Sequence, residues 1–116
     1  MPGLTVVSLH ALPFRRFGRQ PEEPEFSRIW QALADLLHNY RDGPLVVAGD
    51  FNTRHRTLVL DAAERPLTRA VGDRPTHRGQ PTDDVLYTEE LVQRAEPRVI
   101  PTFSDHALCV VELARR

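Results

Sequence analysis

Polar side chains able to move protons, bind metal ions or donate hydrogen bonds lie next to the apolar runs of this 116-residue chain. They are His10, Asp50, Asn52, Asp83 and the pair Asp105-His106. Each of them ends or precedes a run that predicts a β-strand. In a layered α/β fold, strand ends bring residues that are distant in sequence onto one rim, where their side chains can converge on a ligand. The sequence therefore predicts a polar site assembled from several strand ends.

Each of these residues also has a purely structural interpretation. A lone histidine at a strand end, such as His10, is more often solvated or structural than functional. Gly49-Asp50 and Ser104-Asp105 have the composition of ordinary turns or caps. Only the combination of these residues in one chain favours a functional site.

Three further histidines, His38, His55 and His77, lie outside these patterns and have no support as site residues. His55, with Arg54 or Arg56, follows the second predicted strand closely enough to touch a ligand. A solvated loop is nevertheless the favoured interpretation of that segment.

A strand, a helix and a second strand are predicted for the first half of the chain. Leu4 to Leu9 is a nearly continuous β-branched run, which predicts a strand buried on both faces. Residues 11–25 have the composition of an exposed loop. Apolar residues then recur at helical spacing from Phe26 to Tyr40, before Asp42-Gly43-Pro44 ends the helix. Leu45 to Ala48 is the second buried strand, so this half forms a βαβ-like unit.

Shorter elements are predicted for the second half. Residues 57–64 fit a short helix, whereas residues 65–82 look irregular because glycine and proline are scattered among polar side chains. Asp84 to Tyr87 predicts a third strand. Leu91 to Ile100 predicts a fourth strand interrupted by a proline, and Ala107 to Leu113 predicts the last.

The composition is that of one small folded domain. Hydrophobic residues make up 41% of the chain and charged residues 27%, which leaves little room for extensive disorder. The net charge of -1 gives no case for a protein that coats nucleic acid or a membrane surface, so an anionic ligand would be held locally. All fifteen basic residues are arginines, which suit planar contacts to phosphate but which a codon bias would also produce.

The single cysteine and the lack of long apolar segments bear on the compartment. Cys109 lies in an apolar run, which favours a buried thiol over a nucleophile. No segment is long enough to span a bilayer, and the first residues lack the features of a secretion signal. We therefore expect a cytoplasmic protein, unless a signal belongs to sequence that precedes Met1.

Four segments in this order, VVSLH, LVVAGDFN, TDDVLY and FSDHALCVVEL, resemble the endonuclease/exonuclease/phosphatase superfamily, which includes DNase I-like nucleases. GDFN and SDH are the most specific of the four, and the resemblance covers essentially the whole chain. It implies an α/β fold, half of a four-layered α/β sandwich, with a mixed β-sheet and an amphipathic helix on one face. Residues 1–116 would form a single truncated domain, because the family's N-terminal half, with its asparagine and metal-binding glutamate, has no counterpart.

The resemblance also implies a metal-dependent phosphoester hydrolase, in which an activated water attacks phosphorus. The cofactor would be Mg²⁺, or else Mn²⁺, with Asp105 and Asp50 supporting the metal. Magnesium requires several oxygen ligands and usually takes one or two carboxylates from the protein. We expect its binding to be weakened without the family's glutamate.

Catalytic roles follow from the resemblance for five residues. His106 would lie beside the scissile phosphate and be oriented by Asp83, since a carboxylate fixes the tautomer of an imidazole and stabilises its charged form. Asp50 and Asn52 would align the water and bind a phosphoryl oxygen, and their spacing in an extended segment would put both on one side. His10 would contact phosphate or act as a second acid.

The identity of the orienting carboxylate is open, because Asp83 and Asp84 are adjacent. The family usually has isoleucine before this aspartate and an aromatic residue or histidine after it. The frame TDDVLY then assigns the role to Asp83, with Thr82 and Asp84 as departures from the pattern.

An absent half would also leave apolar sheet surface uncovered, so we expect a homodimer, an N-terminal partner chain or poor solubility. The substrate would be a nucleic acid, a phospholipid head group or a small phosphoester. The alternatives are a catalytically inactive remnant that acts as a binding or interaction module, and a gene fragment without independent function.

Overall fold

The structure, a computed structural model, describes residues 3–53 and 56–116. Its elements, in chain order, are β1 (Thr5–His10), two 3-10 turns (Phe14–Phe17 and Pro24–Phe26), α1 (Ser27–His38), β2 (Leu45–Asp50), α2 (Thr57–Ala62), β3 (Thr68–Arg69), β4 (Asp83–Tyr87), β5 (Leu91–Gln93), β6 (Arg98–Ile100), β7 (Leu108–Val110) and β8 (Leu113–Arg115). The fold is therefore mixed α/β, as predicted. None of the described helices is both long enough and apolar enough to cross a membrane.

A four-stranded mixed sheet with the order β1-β2-β4-β3 forms the centre of the molecule. β1 and β2 are parallel neighbours joined through α1, whereas β4 runs antiparallel to both β2 and β3. The βαβ-like unit predicted from the sequence is thus present. Its parallel register aligns the ends of β1 and β2, since His10 lies opposite Asp50.

The main core lies between one face of this sheet and the helices. Trp30, Leu33 and Leu37 are the buried residues of α1, at the spacing that one helix face requires. They pack in one cluster with Val47 of β2 and Leu86 of β4. The apolar periodicity predicted this helix correctly, although α1 is shorter at both ends than the span from 26 to 40.

The segment expected to be an exposed loop, residues 11–25, is partly buried. Phe14 has 2% of its surface exposed, packs edge-on against Phe26 and lies over the ring of Trp30 at an interplanar angle of 30°. The indole nitrogen of Trp30 donates a hydrogen bond of 2.8 Å to the carbonyl of Pro21. These contacts hold the segment against α1. Its proline and arginine content had predicted an exposed loop instead.

The second face of the sheet is covered only in part. Val46, Tyr87 and Leu91 form a smaller cluster there, against which Leu113 packs. This cover does not extend to β1, where Val6 keeps 62% of its surface exposed. The prediction that β1 is buried on both faces was therefore wrong: the strand lies at the sheet edge and alternates between half-buried and exposed residues.

The last two predicted strands are each divided in two. β5 pairs with β8 and β6 pairs with β7, all antiparallel, so the four pieces form one ribbon with a break in each arm. Pro97, which lacks an N–H for the ladder, lies in the break between β5 and β6. The loop of residues 101–107 at the tip of this ribbon carries Asp105 and His106.

Candidate active site

Strand register places three of the predicted site residues in one row. His10 lies opposite Asp50 in the parallel pair β1-β2, and Asp50 lies opposite Asp83 in the antiparallel pair β2-β4. Residues opposite each other on neighbouring strands point to the same face of a sheet. The row therefore brings two carboxylates and an imidazole together at one side of the sheet, where β1 and β2 end and β4 begins.

His106 approaches this row from the tip of the ribbon. Its Nδ1 atom lies 2.8 Å from Asp83 Oδ2, and its Nε2 atom lies 3.6 Å from Asp50 Oδ2. Partial burial by itself would lower the pKa of His106. The hydrogen bond to Asp83 and the nearby charges of Asp83, Asp50 and Asp105 outweigh that effect and raise the pKa. The site therefore favours the protonated imidazole.

Asp50 lies between two imidazoles. Its Oδ1 atom accepts a hydrogen bond of 2.8 Å from the backbone N–H of Asn52, which fixes the carboxylate. The other oxygen, Oδ2, lies 3.8 Å from Nε2 of His10 and 3.6 Å from Nε2 of His106. His10 itself stands on the rim with 80% of its side chain exposed. This leaves Asp50 Oδ2 turned toward both histidines.

The GDFN segment has a structural reason at each of its first three positions. Gly49 has a φ of 141°, and a Cβ there would lie 1.9 Å from the carbonyl oxygen of Leu9, so no side chain fits. Asp50 belongs to the row, and Phe51 is fully buried with its N–H donating to the Thr82 carbonyl at 2.8 Å. Motif and geometry therefore agree here.

Asn52 does not lie in an extended segment, contrary to the prediction from its spacing. β2 ends at Asp50, and Asn52 has a left-handed φ of 51°. Its side-chain amide turns back and donates a hydrogen bond of 2.6 Å to the carbonyl of Ala11. Asn52 thus ties the end of β2 to the end of β1, and the second N–H of its amide is the group left to serve a ligand.

Asp83 and Asp84 point to opposite faces of the sheet, because consecutive residues alternate along a strand. Asp83 contacts His106, whereas the side chain of Asp84 is fully buried on the helix side. There it pairs with Arg69 at 3.2 Å and faces Nε of Arg56 at 3.4 Å, and it accepts a hydrogen bond from the N–H of Val71. Of the two carboxylates, only Asp83 is placed to orient the imidazole.

Arg56, the third candidate of the segment that follows β2, is also structural. Arg56 has 2% of its surface exposed, so the expected solvated loop is wrong at this position. Its guanidinium donates to the carbonyls of Thr53 and Pro81 and lies over the ring of Phe51. Burial lowers the pKa of Arg56, and the charge of Asp84 opposes that shift.

His77, which lies outside every sequence motif, is also part of the site. Its ring lies parallel to that of His106, with 4.1 Å between ring centroids and 4° between planes. Its Nε2 atom lies 3.1 Å from Oδ2 of Asp105. This contact lowers the pKa of Asp105. The one sequence signal was the Arg78-Gly79 pair, which is typical of a turn, but a turn alone does not identify a site.

Two groups of side chains could hold a metal ion within the part of the chain that the structure describes. One consists of Asp50, Asp83 and His106, and the other of His77, Asp105 and His106. The predicted metal residues Asp50 and Asp105 thus fall in different groups. The first group fits a divalent cation, because its two carboxylates supply oxygen ligands and Asp50 Oδ2 is turned toward the cleft. The second group does not suit one shared ion. The rings of His77 and His106 are parallel and 4.1 Å apart, so their nitrogen lone pairs lie in two separate planes.

A cleft of about 1250 Å³ opens over these residues. Its walls combine acidic and imidazole groups with arginines from the first 3-10 turn, from the segment that follows it and from the His77 turn. The charged and imidazole residues that line it are His10, Arg15, Arg16, Arg19, Asp50, His77, Arg78, Asp105 and His106. Such a mixed lining suits an anionic ligand held beside a cation.

The remaining predictions concern residues outside the cleft. His38 is paired with Glu64 at 3.0 Å on the surface, in agreement with its lack of support as a site residue. Cys109 is half-buried, and burial raises the pKa of its thiol. The candidates Arg54 and His55 lie outside the described residues.

The comparisons with known proteins bear on the origin of this arrangement. The endonuclease/exonuclease/phosphatase family model matches residues 2–106, which is most of the chain and includes all six predicted site residues. No curated protein and no solved structure gave a significant match. The match over residues 2–106 confirms the resemblance, and the chain belongs to the endonuclease/exonuclease/phosphatase family.

Proposed function

We propose that the chain is a Mg²⁺-dependent phosphoester hydrolase. The observation that carries the proposal is the pair of contacts made by His106, whose Nδ1 lies 2.8 Å from Asp83 and whose Nε2 faces Asp50 at 3.6 Å. A histidine that a carboxylate holds in one tautomer at an open cleft can carry a proton to or from a substrate. Membership of a phosphoesterase family supplies the reaction class.

His106 has the proton-carrying role in this proposal. With Nδ1–H donating to Asp83, the proton that the ring gains or loses is the one on Nε2, which faces the cleft. In its charged form Nε2–H donates to a phosphoryl or leaving oxygen, and the raised pKa of His106 favours this form. Asp83 stabilises the imidazolium without itself being protonated.

Asp50 serves both the water and the cation. Because Asn52 N–H occupies Oδ1, Oδ2 is the oxygen that accepts a hydrogen bond from water or contributes to the cation. Asp50 and Asp83 would hold the Mg²⁺ ion, with water and substrate oxygens supplying the other ligands. When bound, the ion would neutralise charge on the phosphoryl oxygens. A site with so few protein ligands is expected to bind magnesium weakly.

The other predicted residues act on substrate oxygens. Asn52 would donate its second amide N–H to a phosphoryl oxygen, while its first holds Ala11. The exposed imidazole of His10, 3.8 Å from Asp50, would contact phosphate at the rim of the cleft. Asp105 would act on the ion only indirectly, since it belongs with His77 rather than with Asp50.

The sheet with α1 and α2 on one face would be two layers of the family's four-layered α/β sandwich. The partly uncovered face at β1 is where further layers would pack. The substrate is a phosphoester of open identity, for which nucleic acids, phospholipid head groups and small phosphoesters are the candidates.

Hydrolysis of bis(p-nitrophenyl) phosphate and of plasmid DNA, measured with and without magnesium, tests the proposal. We expect magnesium-dependent turnover that His106→Ala and Asp50→Ala reduce by at least about a hundredfold. His38→Ala, an exposed histidine paired with Glu64, is the matched control and should retain full activity. Thermal melting of each variant establishes that it is folded.

Equal turnover in His106→Ala and the parent chain would reject the assignment. Binding of a phosphoester without turnover at saturating magnesium would favour the alternative, a catalytically inactive binding module.

A further inference from the structure

We propose that His77 is a positioning residue for His106. In this arrangement a second aspartate–histidine pair, Asp105 with His77, is stacked on the first, Asp83 with His106. The inference rests on the proposed hydrolase function, and it assigns a role to a histidine that lies outside all four sequence motifs.

The stacking geometry carries the proposal. The rings of His77 and His106 are parallel within 4°, with centroids 4.1 Å apart, so one face of the His106 ring is covered by the other ring. The side chain of His77 is 23% exposed, and its Nε2 lies 3.1 Å from Asp105 Oδ2. The covering ring is therefore itself held at its far edge.

A tight turn presents His77 to His106. His77 and Gln80 exchange backbone hydrogen bonds of 3.1 and 2.8 Å across the turn. Arg78 and Gly79, at its centre, both have left-handed backbones, with φ of 49° and 76°. Positive φ at both central residues defines a type I′ turn, for which glycine is suited and arginine is not. The chain thus accepts backbone strain at Arg78 in order to keep this turn.

Thr76 fastens the turn to both of its neighbours. Its carbonyl accepts a hydrogen bond of 2.7 Å from the N–H of Ala107, the residue after His106. Its hydroxyl accepts one of 3.0 Å from the N–H of Asp83. With 4% of its surface exposed, Thr76 is buried between these partners. The position of His77 is therefore set relative to both His106 and Asp83.

Stacking by His77 restricts a tilt of the His106 ring that the hydrogen bond to Asp83 permits. A single hydrogen bond at Nδ1 fixes one edge of the His106 ring but permits the ring to tilt about that bond. A parallel ring at van der Waals distance blocks the tilt on one side, so Nε2 keeps its direction toward the cleft. Misplacement of a catalytic group by about 1 Å can cost roughly a hundredfold in rate, so such a restraint affects turnover.

The same geometry gives Asp105 a role that differs from metal binding. Asp105 holds the edge of His77, and Arg78 Nη2 lies 4.0 Å from the same oxygen. A carboxylate occupied by an imidazole and an arginine is an anchor for the turn. Asp105 would then reach the reaction through His77 and His106.

The test compares His77→Ala with His77→Phe. The alanine variant removes the ring, whereas phenylalanine retains a flat ring without the nitrogen that contacts Asp105. With bis(p-nitrophenyl) phosphate and magnesium, we expect His77→Ala to lower kcat by about ten- to a hundredfold with little change in KM. His77→Phe should recover most of that loss. Asp105→Ala should fall between the two.

A proton NMR measurement on the metal-free protein provides a readout independent of activity. The carbon-bound ring protons of His106 should be shifted upfield by the neighbouring ring in the parent chain and in His77→Phe, and the shift should disappear in His77→Ala. This distinguishes failure of the positioning role from failure of the hydrolase proposal, because the NMR result does not require turnover.

Three results would overturn the inference. The first is an unchanged kcat in folded His77→Ala, and the second is an absence of any upfield shift in the parent chain. The third is an equal loss of kcat in His77→Ala and His77→Phe while both variants remain folded. If His77→Ala does not fold, His77→Asn replaces it in both measurements.

Discussion

Asp83 and Asp84 are adjacent in the sequence, but the first belongs to the candidate site and the second to the buried interior. Asp83 reaches His106 on one face of β4, while Asp84 lies fully buried on the other face against Arg56 and Arg69. The alternation of the strand makes these roles exclusive, since neither side chain can reach the other's partners. The same substitution should therefore mainly lower kcat at Asp83 and mainly lower the free energy of unfolding at Asp84.

Asp83→Asn and Asp84→Asn form a matched pair for this prediction. Asp83→Asn should reduce kcat by about 10² to 10⁴-fold, because an amide no longer selects the His106 tautomer, and it should cost less stability than the change at Asp84. Asp84→Asn should lower the free energy of unfolding by about 3 to 5 kcal/mol, because it leaves a buried guanidinium without its counter-ion. Urea denaturation and steady-state kinetics measure the two effects. A larger loss of stability in Asp83→Asn than in Asp84→Asn would contradict the assignment of faces.

The protonation of His106 depends on three nearby carboxylates. Burial opposes its charge, but the contact with Asp83 and the charges of Asp50 and Asp105 raise its pKa above the value of about 6.5 for an unfolded histidine. A group with a raised pKa stabilises the fold fully below about pH 6.5, and the contribution is lost as the pH rises through the folded pKa. An NMR titration of the metal-free protein should give a His106 pKa above about 6.5. Asp83→Asn should lower it.

The motifs and the family resemblance identified the motif residues and the pairing of His106 with Asp83, but not His77. His10, Asp50 and Asp83 could be placed at strand ends by hydrophobic patterning, because that pattern is local. The choice between Asp83 and Asp84 depended on a family frame until the register of β4 was known. The stack of His77 on His106 joins a turn to a ribbon tip 29 residues later, and no local pattern encodes such a contact.

At the scale of elements, long periodic segments were predictable and short interrupted ones were not. α1 and β2 follow directly from their apolar spacing. The runs from Leu91 and from Ala107 each looked like one strand, but each is broken where its pairing partner changes. The burial of β1 was also misjudged, because a continuous apolar run does not show whether a strand is central or at an edge.

Val6 and Val46 test how far the cover over the second sheet face extends. The two valines lie opposite each other on β1 and β2 and point to the same face, yet Val6 is 62% exposed and Val46 is 6% exposed. Val46→Ala should cost about 1 to 3 kcal/mol of unfolding free energy, because it leaves a cavity against Tyr87 and Leu91. Val6→Ala should cost about 0.5 kcal/mol or less. Both variants make the same change of residue in a strand, so a difference in unfolding free energy reports the difference in burial. An equal loss of unfolding free energy in the two variants would contradict the difference in cover.

For the whole molecule, the chain exposes more surface than its mass requires. Its accessible area is 7283 Å², whereas a compact monomer of 13.2 kDa is expected to expose about 6400 Å². The molecule is flat, measuring 44 × 34 × 18 Å along its principal axes. Part of the exposed area is apolar and lies along the edge strand, where Leu4 is 52% and Val6 is 62% exposed.

This edge predicts that the chain associates with a second copy of itself. In the described part of the chain β1 has no strand on its outer side, so its backbone groups there can pair with another strand. The net charge of -1 provides little repulsion between copies. Light scattering after size-exclusion chromatography should therefore give a mass above 13.2 kDa that rises with concentration. Val6→Glu should shift the protein toward the monomer, because a charge on this face opposes apolar contact, whereas Leu36→Glu on the exposed side of α1 should not. A monomer at every concentration, or an equal effect of the two substitutions, would show that the β1 edge does not mediate association.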